Sequence, residues 1–320
     1  MSEAPRQLAL KVDVDTYRGT CEGVPRLVEL LKKYGAQATF LFSLGPDHTG
    51  RAIRRVFRPG FVGKVKRTSV VEHYGIRTLL YGTLLPGPDI GRRCADLLRS
   101  VAADGFETGI HTWDHIKWQD GVEHADEAWT RRQMRLAIDR YAEVFGTPAL
   151  THGAAGWQMN RHAMRLTQRL GFDYCSDGRG EFPFYPVQNG EIIGCPQLPT
   201  TLPTLDELIG VDGLDSVNVA DHLLALTAHC DRATQVYTLH AELEGMRLAS
   251  VFERLLEGWQ AQAYELVATR SIFDALDLTA LPRCEMLRSE IAGRSGSLMV
   301  QGPAFLGDVP LPEMPLDEAA

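Results

Sequence analysis

Asp13-Val14-Asp15 closes a short apolar run, and strand periodicity puts its two carboxylates on one side. A carboxylate pair at the C-terminal mouth of a βα structure suits a metal ligand beside a general base, although a polar strand end gives the same pattern. His111-Thr112-Trp113-Asp114-His115 places two imidazoles on one face of a helical turn, within reach of one metal. With ten histidines in 320 residues, such a spacing also arises by chance. Asp15 is the natural carboxylate to complete a facial set of two histidines and one carboxylate, open to water and substrate. Oxygen and imidazole donors admit one divalent metal ion, Zn, Co, Mn or Ni.

Three further stretches carry chemical potential. Tyr237-Thr238-Leu239-His240 ends an apolar run with a histidine, which suits general acid work or a plain hydrogen-bonded strand end. His152-Gly153-Ala154-Ala155-Gly156-Trp157 offers small residues that let backbone N–H groups approach a ligand as an oxyanion site, or simply make a tight turn. Asp177, in Ser176-Asp177-Gly178-Arg179-Gly180, could stand behind a catalytic histidine.

The elements that must position these residues alternate. Leu8 to Val12, Ala38 to Phe42, Thr108 to Ile110, Phe172 to Cys175 and Val236 to Leu239 read as strands. Val24 to Tyr34, Arg93 to Ala103, Asp126 to Phe145, Arg161 to Leu170, Val219 to Cys230 and Leu248 to Gln262 read as helices, several stopped by Gly35, Gly146 or Gly171. Strands alternating with long helices predict βα units around a parallel sheet or barrel, and every candidate residue then falls at the C-terminal end of a strand.

Composition bounds the partners. With 33 basic and 41 acidic residues the net charge is −8, which offers no global basic field for nucleic acid. No stretch reads as a signal peptide or a membrane span, and the six scattered cysteines predict reduced, buried thiols in the cytosol. Locally the balance inverts: Arg51 to Arg77 carries eight basic residues against Glu72, a net +7 interleaved with Phe and Val. The segment 284–320, rich in proline, predicts an irregular or disordered tail.

The ordered set resembles the polysaccharide deacetylase (NodB-homology) family over about residues 8 to 282. The carrying stretches are Asp13-Val-Asp15-Thr-Tyr-Arg-Gly19, Gly109-Ile-His111-Thr-Trp-Asp-His115, His152-Gly-Ala-Ala-Gly-Trp157, Ser176-Asp-Gly-Arg-Gly180, Leu202-Pro-Thr-Leu-Asp-Glu207 and Tyr237-Thr-Leu-His-Ala-Glu242. The resemblance implies an α/β fold, a distorted (β/α) barrel forming a single catalytic domain over 1–283, with a basic amphipathic insertion at 48–88. It implies a metal-dependent amide hydrolase with Asp15, His111 and His115 as metal ligands, Asp13 as base and His240 as acid held by Asp177. Substrate or oxyanion contacts fall to His152, Gly153, Ala154, Ala155, Trp157 and Leu239. The wider family tethers its base with an arginine in the third motif. Here that loop begins with His152, the expected partner of Asp13.

Within the family, the stretches resemble a subgroup that deformylates a lipid-linked amino sugar, in the service of lipid A modification and resistance to cationic peptides such as polymyxin. That implies a lipid-linked amino sugar substrate and an anionic membrane surface as partners, with peripheral attachment to the inner face of a bacterial inner membrane. Arg54, Arg55, Arg58, Lys64, Lys66 and Arg67 would then meet lipid or lipid phosphate. A deacetylase of another N-acyl sugar and a non-catalytic lipid-phosphate module are the competing readings.

Overall fold

A computed structural model describes residues 6–52, 75–230, 232 and 234–306. Its strands are β1 (Arg6–Val14), β2 (Thr39–Ser43), β3 (Glu107–Thr112), β4 (Thr151–His152), β5 (Tyr174–Cys175), β6 (Tyr185–Gln188), β7 (Glu191–Ile192), β8 (Thr234–His240), β9 (Tyr264–Val267), β10 (Arg283–Glu290) and β11 (Ser297–Ala304). Its longer helices are α1 (Val24–Lys33), α2 (Ala95–Ala103), α3 (His115–Gly121), α4 (Glu127–Phe145), α5 (Arg161–Arg169), α6 (Val219–Ala228) and α7 (Ala249–Ala261).

β1 is the hub of the main sheet. One face is apolar, with Leu8, Leu10, Val12 and Val14 wholly buried, while the other carries Ala9, Lys11 and Asp13, also buried. Each side chain of the apolar face contributes about 2 kcal/mol by leaving water. The sheet runs β5-β4-β3-β2-β1-β8, with β9 on the first half of β1. Every pairing is parallel, so all C-terminal strand ends face one rim. Asp13 lies opposite His240 in the β1–β8 register.

No ladder joins β5 to β8 among the described residues. The irregular chain between them closes the gap: Gln197 bridges Cys175, and the N–H groups of Thr201 and Leu202 both donate to the Val236 carbonyl. The result is the distorted barrel that the family resemblance implies.

Helix boundaries follow local chemistry. Asp126 caps α4 by accepting from the Trp129 N–H, and Gly146 ends it at φ +73°, a left-handed conformation that suits glycine. Asn160 caps α5 and Asp114 caps α3 in the same manner.

The expected tail is overturned up to residue 304. β10 and β11 form an antiparallel pair, and β10 adds to β6 in a second sheet of order β11-β10-β6-β7. Cys284 and Met286, alternate residues at the start of β10, are buried. The basic residues Arg54, Arg55, Arg58, Lys64, Lys66 and Arg67 lie outside the described residues, as do 307–320. The thiols are all free, but they are less scattered than the sequence implies. Cys175 and Cys195 meet at 3.5 Å and Cys21 and Cys94 at 3.6 Å, with Cys21 exposed rather than buried. No helix among the described residues is long and apolar enough to cross a membrane.

Candidate metal centre and active site

Asp15, His111 and His115 converge on the rim. Asp15 Oδ1 lies 3.2 Å from His111 Nε2, and Asp15 Oδ2 lies 3.3 Å from His115 Nε2. His111 Nδ1 donates to the Gly153 carbonyl at 2.7 Å, which leaves Nε2 with its lone pair towards Asp15. Asp15 Oδ1 is buried and accepts no hydrogen bond. Electron-rich atoms held face to face, in a pocket with an orphaned carboxylate oxygen, fit a cation between them. Burial alone would raise the Asp15 pKa, but the charges of His115 and His111 outweigh it and hold the carboxyl far below the usual carboxylate range.

The backbone around Asp15 is fixed by Glu242, to which its place in the Tyr237–Glu242 stretch assigns no role. Glu242 Oε1 accepts from the N–H groups of Asp15 and Thr16, at 3.1 and 2.8 Å, and from the Thr16 hydroxyl at 2.8 Å. Gly19 leaves room for it, since a Cβ there would stand 2.0 Å from Glu242 Oε1. Burial, then the negative charge of Asp15, pushes the Glu242 pKa up to about 8. On the other side, Asp114 links the metal loop to His48 Nδ1 at 2.6 Å while capping α3.

Asp13 lies beside this centre, its Oδ1 3.8 Å from His111 Nδ1. No hydrogen bond or ion pair joins it to His152; the cation beside it is Lys11, whose Nζ lies 3.2 Å from Asp13 Oδ2. His152 turns away and bonds Asp177 at 2.7 Å.

That contact also removes Asp177 from the role expected for it. Asp177 is wholly buried, and its oxygens accept from His152, from the Ala154 N–H at 2.9 Å and from Gln197 Nε2 at 3.1 Å. The carboxylate facing His240 is Asp206, 4.0 Å from Nδ1. Burial would lower the His240 pKa, but the charges of Asp206, Asp15, Glu244 and Asp13 raise it to about 9. Glu244, itself buried, accepts from the His240 N–H and the Tyr237 hydroxyl, both at 2.9 Å, and anchors the end of β8.

The glycine-rich loop is mostly committed to structure. The N–H of Gly153 donates to Ile110, that of Ala154 to Asp177 and that of Trp157 to Ala154, so these three are not free oxyanion donors. Trp157, at φ +52°, is buried and gathers cations: Arg294 lies 4.4 Å, Arg179 5.1 Å and Lys11 5.2 Å from its ring centre. Arg179 and Arg294 share Glu207, so the tip of the β10–β11 hairpin docks onto this wall. Leu239 is buried near the end of β8.

A parallel barrel with an Asp-His-His set on its rim defines a class, and the sequence comparison agrees. The polysaccharide deacetylase family model matches residues 4–175, and the chain belongs to that family. Two curated relatives are named 4-deoxy-4-formamido-L-arabinose-phosphoundecaprenol deformylase ArnD. The protein of Shewanella sediminis is 37% identical over 92% of this chain and 94% of its own. That of Wigglesworthia glossinidia brevipalpis is 30% identical over 88% and 98%. In fold, the chain is similar to a crystal structure of a Mycobacterium smegmatis protein assigned to the polysaccharide deacetylases. The TM-score is 0.60 at 17% identity, covering 91% of this chain and 97% of that one.

Proposed function

We propose that this protein is a divalent-metal-dependent deformylase. Its substrate in this reading is 4-deoxy-4-formamido-L-arabinose linked to undecaprenyl phosphate, and its products are formate and the free 4-amino sugar lipid. The carrying observation is the orphaned Asp15 carboxylate facing two imidazole Nε2 atoms, with Asp13 and His240 in register beside it. The curated relatives are named for that substrate. The cationic amine released suits a role in making lipid A less anionic.

Asp15, His111 and His115 would hold the metal. The chemistry supplied by a bound divalent cation is twofold: a water whose pKa falls towards about 7, and a polarised amide carbonyl. Asp13 Oδ1 accepts the proton of the attacking water. His240, facing Asp206, delivers a proton to the sugar nitrogen, because an amine leaves readily only when protonated. Water and formamide thus become formate and an amine, with one proton taken and one returned. Of the loop 153–157, the N–H groups of Gly153, Ala154 and Trp157 are engaged, so those of Ala155 and Gly156 are the ones suited to the developing negative charge.

Peripheral membrane attachment completes the reading. The end of the basic stretch and the arm that follows it expose Ile76 at 71% and Leu84 at 81%. They border the metal centre: a Cβ at Gly75 would lie 2.8 Å from Arg18, and one at Gly82 would lie 2.7 Å from the His48 ring that bonds Asp114. Apolar side chains beside a basic run suit the interface of an anionic bilayer, on the cytoplasmic face of the inner membrane.

The test is formate release from the N-formyl amino-arabinose lipid by metal-reconstituted protein, alongside the N-acetyl analogue. Formate at a rate well above acetate is expected. Preferential acetate release would transfer the protein to the deacetylases of other N-acyl sugars, and no release from either would end the hydrolase reading.

A further inference from the structure

Lys11 is the feature that the catalytic reading leaves unexplained. It sits in the middle of β1 between Leu10 and Val12 and is wholly buried. An ammonium taken out of water needs a partner, and the strand supplies one two residues on, on the same side. Lys11 Nζ is 3.2 Å from Asp13 Oδ2 and stands 5.2 Å from the ring centre of Trp157. Trp157 is itself held, its indole N–H donating to the Thr200 hydroxyl at 3.3 Å, which in turn bonds Thr238 at 2.6 Å. The path of the lysine stem depends on Gly153: a Cβ there would come within 3.0 Å of Lys11 Cε and 2.4 Å of Leu41 Cδ1. The loop that contributes no cation to Asp13 therefore contributes the space through which one arrives from the strand.

We propose that Lys11 is the positioning residue of the base. It binds one carboxylate oxygen of Asp13 and so fixes the rotamer that aims the other at the reacting water. Asp13 Oδ1 is buried, makes no hydrogen bond, and lies 3.8 Å from the ring of His111. Oδ1 is thus the proton acceptor and Oδ2 the handle. This rests on the hydrolase reading above, with Asp13 as base.

The experiment compares wild type, Lys11→Met, Lys11→Arg, Asp13→Asn and the double variant Lys11→Met/Asp13→Asn, each loaded with metal, by metal content, kcat and KM for formate release. Lys11→Met is expected to bind one metal per chain and keep KM within threefold while kcat falls a hundredfold or more. Lys11→Arg, which keeps a cation, is expected to recover at least a tenth of wild-type kcat. The double variant is expected to be no slower than Asp13→Asn alone, since a residue that acts only through Asp13 has nothing left to position. It also removes both charges of a buried pair, so it decides the question even if Lys11→Met fails to fold. Wild-type kcat in Lys11→Met, or a further tenfold loss in the double variant over Asp13→Asn, overturns the proposal and leaves the hydrolase reading standing. A wild type that releases no formate defeats the hydrolase reading itself.

Discussion

At the residue scale, the proposed mechanism separates groups that would hold a cation from groups that would move protons. Asp15, His111 and His115 have their donor atoms on one another, whereas Asp13 has Lys11 and His240 faces Asp206. Substitutions should therefore divide cleanly. His111→Ala is expected to lose bound metal and, with it, all turnover. Asp13→Asn and His240→Asn are expected to keep the metal and lose at least a hundredfold in kcat, the usual scale for a general acid or base. Metal analysis with single-turnover kinetics checks this. Unchanged turnover in either Asn variant removes that residue from the mechanism. The sequence points to these three residues through spacing, but not for the reason it suggests: His111 ends β3 and His115 opens α3, so a strand-to-helix turn rather than one helical face brings the imidazoles together, and Asp15 directly follows β1. It misleads on their neighbours. His152 and Asp177 look like supports of the base and the acid, but they satisfy each other in the core, and a contact between residues 25 apart in the chain leaves no periodic trace. Lys11 does leave one, a charge on the inward face of an apolar strand, two residues before an aspartate.

At the element scale, the helices are legible because their ends are written in side chains that compete for backbone hydrogen bonds. Asp126 and Gly146 bracket α4 as the sequence predicts, with Asp126 as cap rather than first residue. The β10–β11 hairpin is not legible. Its alternation is short and interrupted by prolines further on, and its stability comes from pairing with β6, almost a hundred residues earlier. Its tip is held tightly: Gly293 has φ +78°, and a Cβ there would meet the Glu207 carbonyl oxygen at 2.1 Å. Gly293→Ala is thus expected to cost about 2 kcal/mol or more, from the left-handed backbone and the clash together, and to lower the melting temperature by about 4 °C or more. Because Arg294 follows directly and stacks on Trp157 beside the Asp206–Glu207 carboxylates, the same change should raise KM more than it lowers kcat. Calorimetry and steady-state kinetics check both parts. An unchanged melting temperature would show that the hairpin tip does not hold the wall in place.

At the scale of the whole molecule, charge and exposure are segregated. A chain of net −8 concentrates +7 in Arg51 to Arg77, with the exposed Ile76 at the end of that stretch and the exposed Leu84 just past it. Flotation with vesicles of anionic lipid is expected to capture the protein at low salt and release it as salt rises. A variant with Lys64, Lys66 and Arg67 changed to Gln is expected to bind about two orders of magnitude more weakly, at about 1 kcal/mol per charge. Equal binding by the two proteins would exclude the basic stretch as the lipid contact.

The sequence by itself determined the alternation of strands and helices, the rim on which the candidate residues gather, and the three positions, Asp15, His111 and His115, whose donor atoms converge there. All of these follow from periodicity and short-range spacing, which a chain carries locally. Only the tertiary structure decided which side chain supports which. Lys11 rather than His152 reaches Asp13, Asp206 rather than Asp177 faces His240, and a hairpin that looked like a tail walls the mouth. Those pairings depend on how distant segments close the barrel: buried charges bind whichever opposite charge packing brings within a few ångströms, and sequence distance does not limit which one that is.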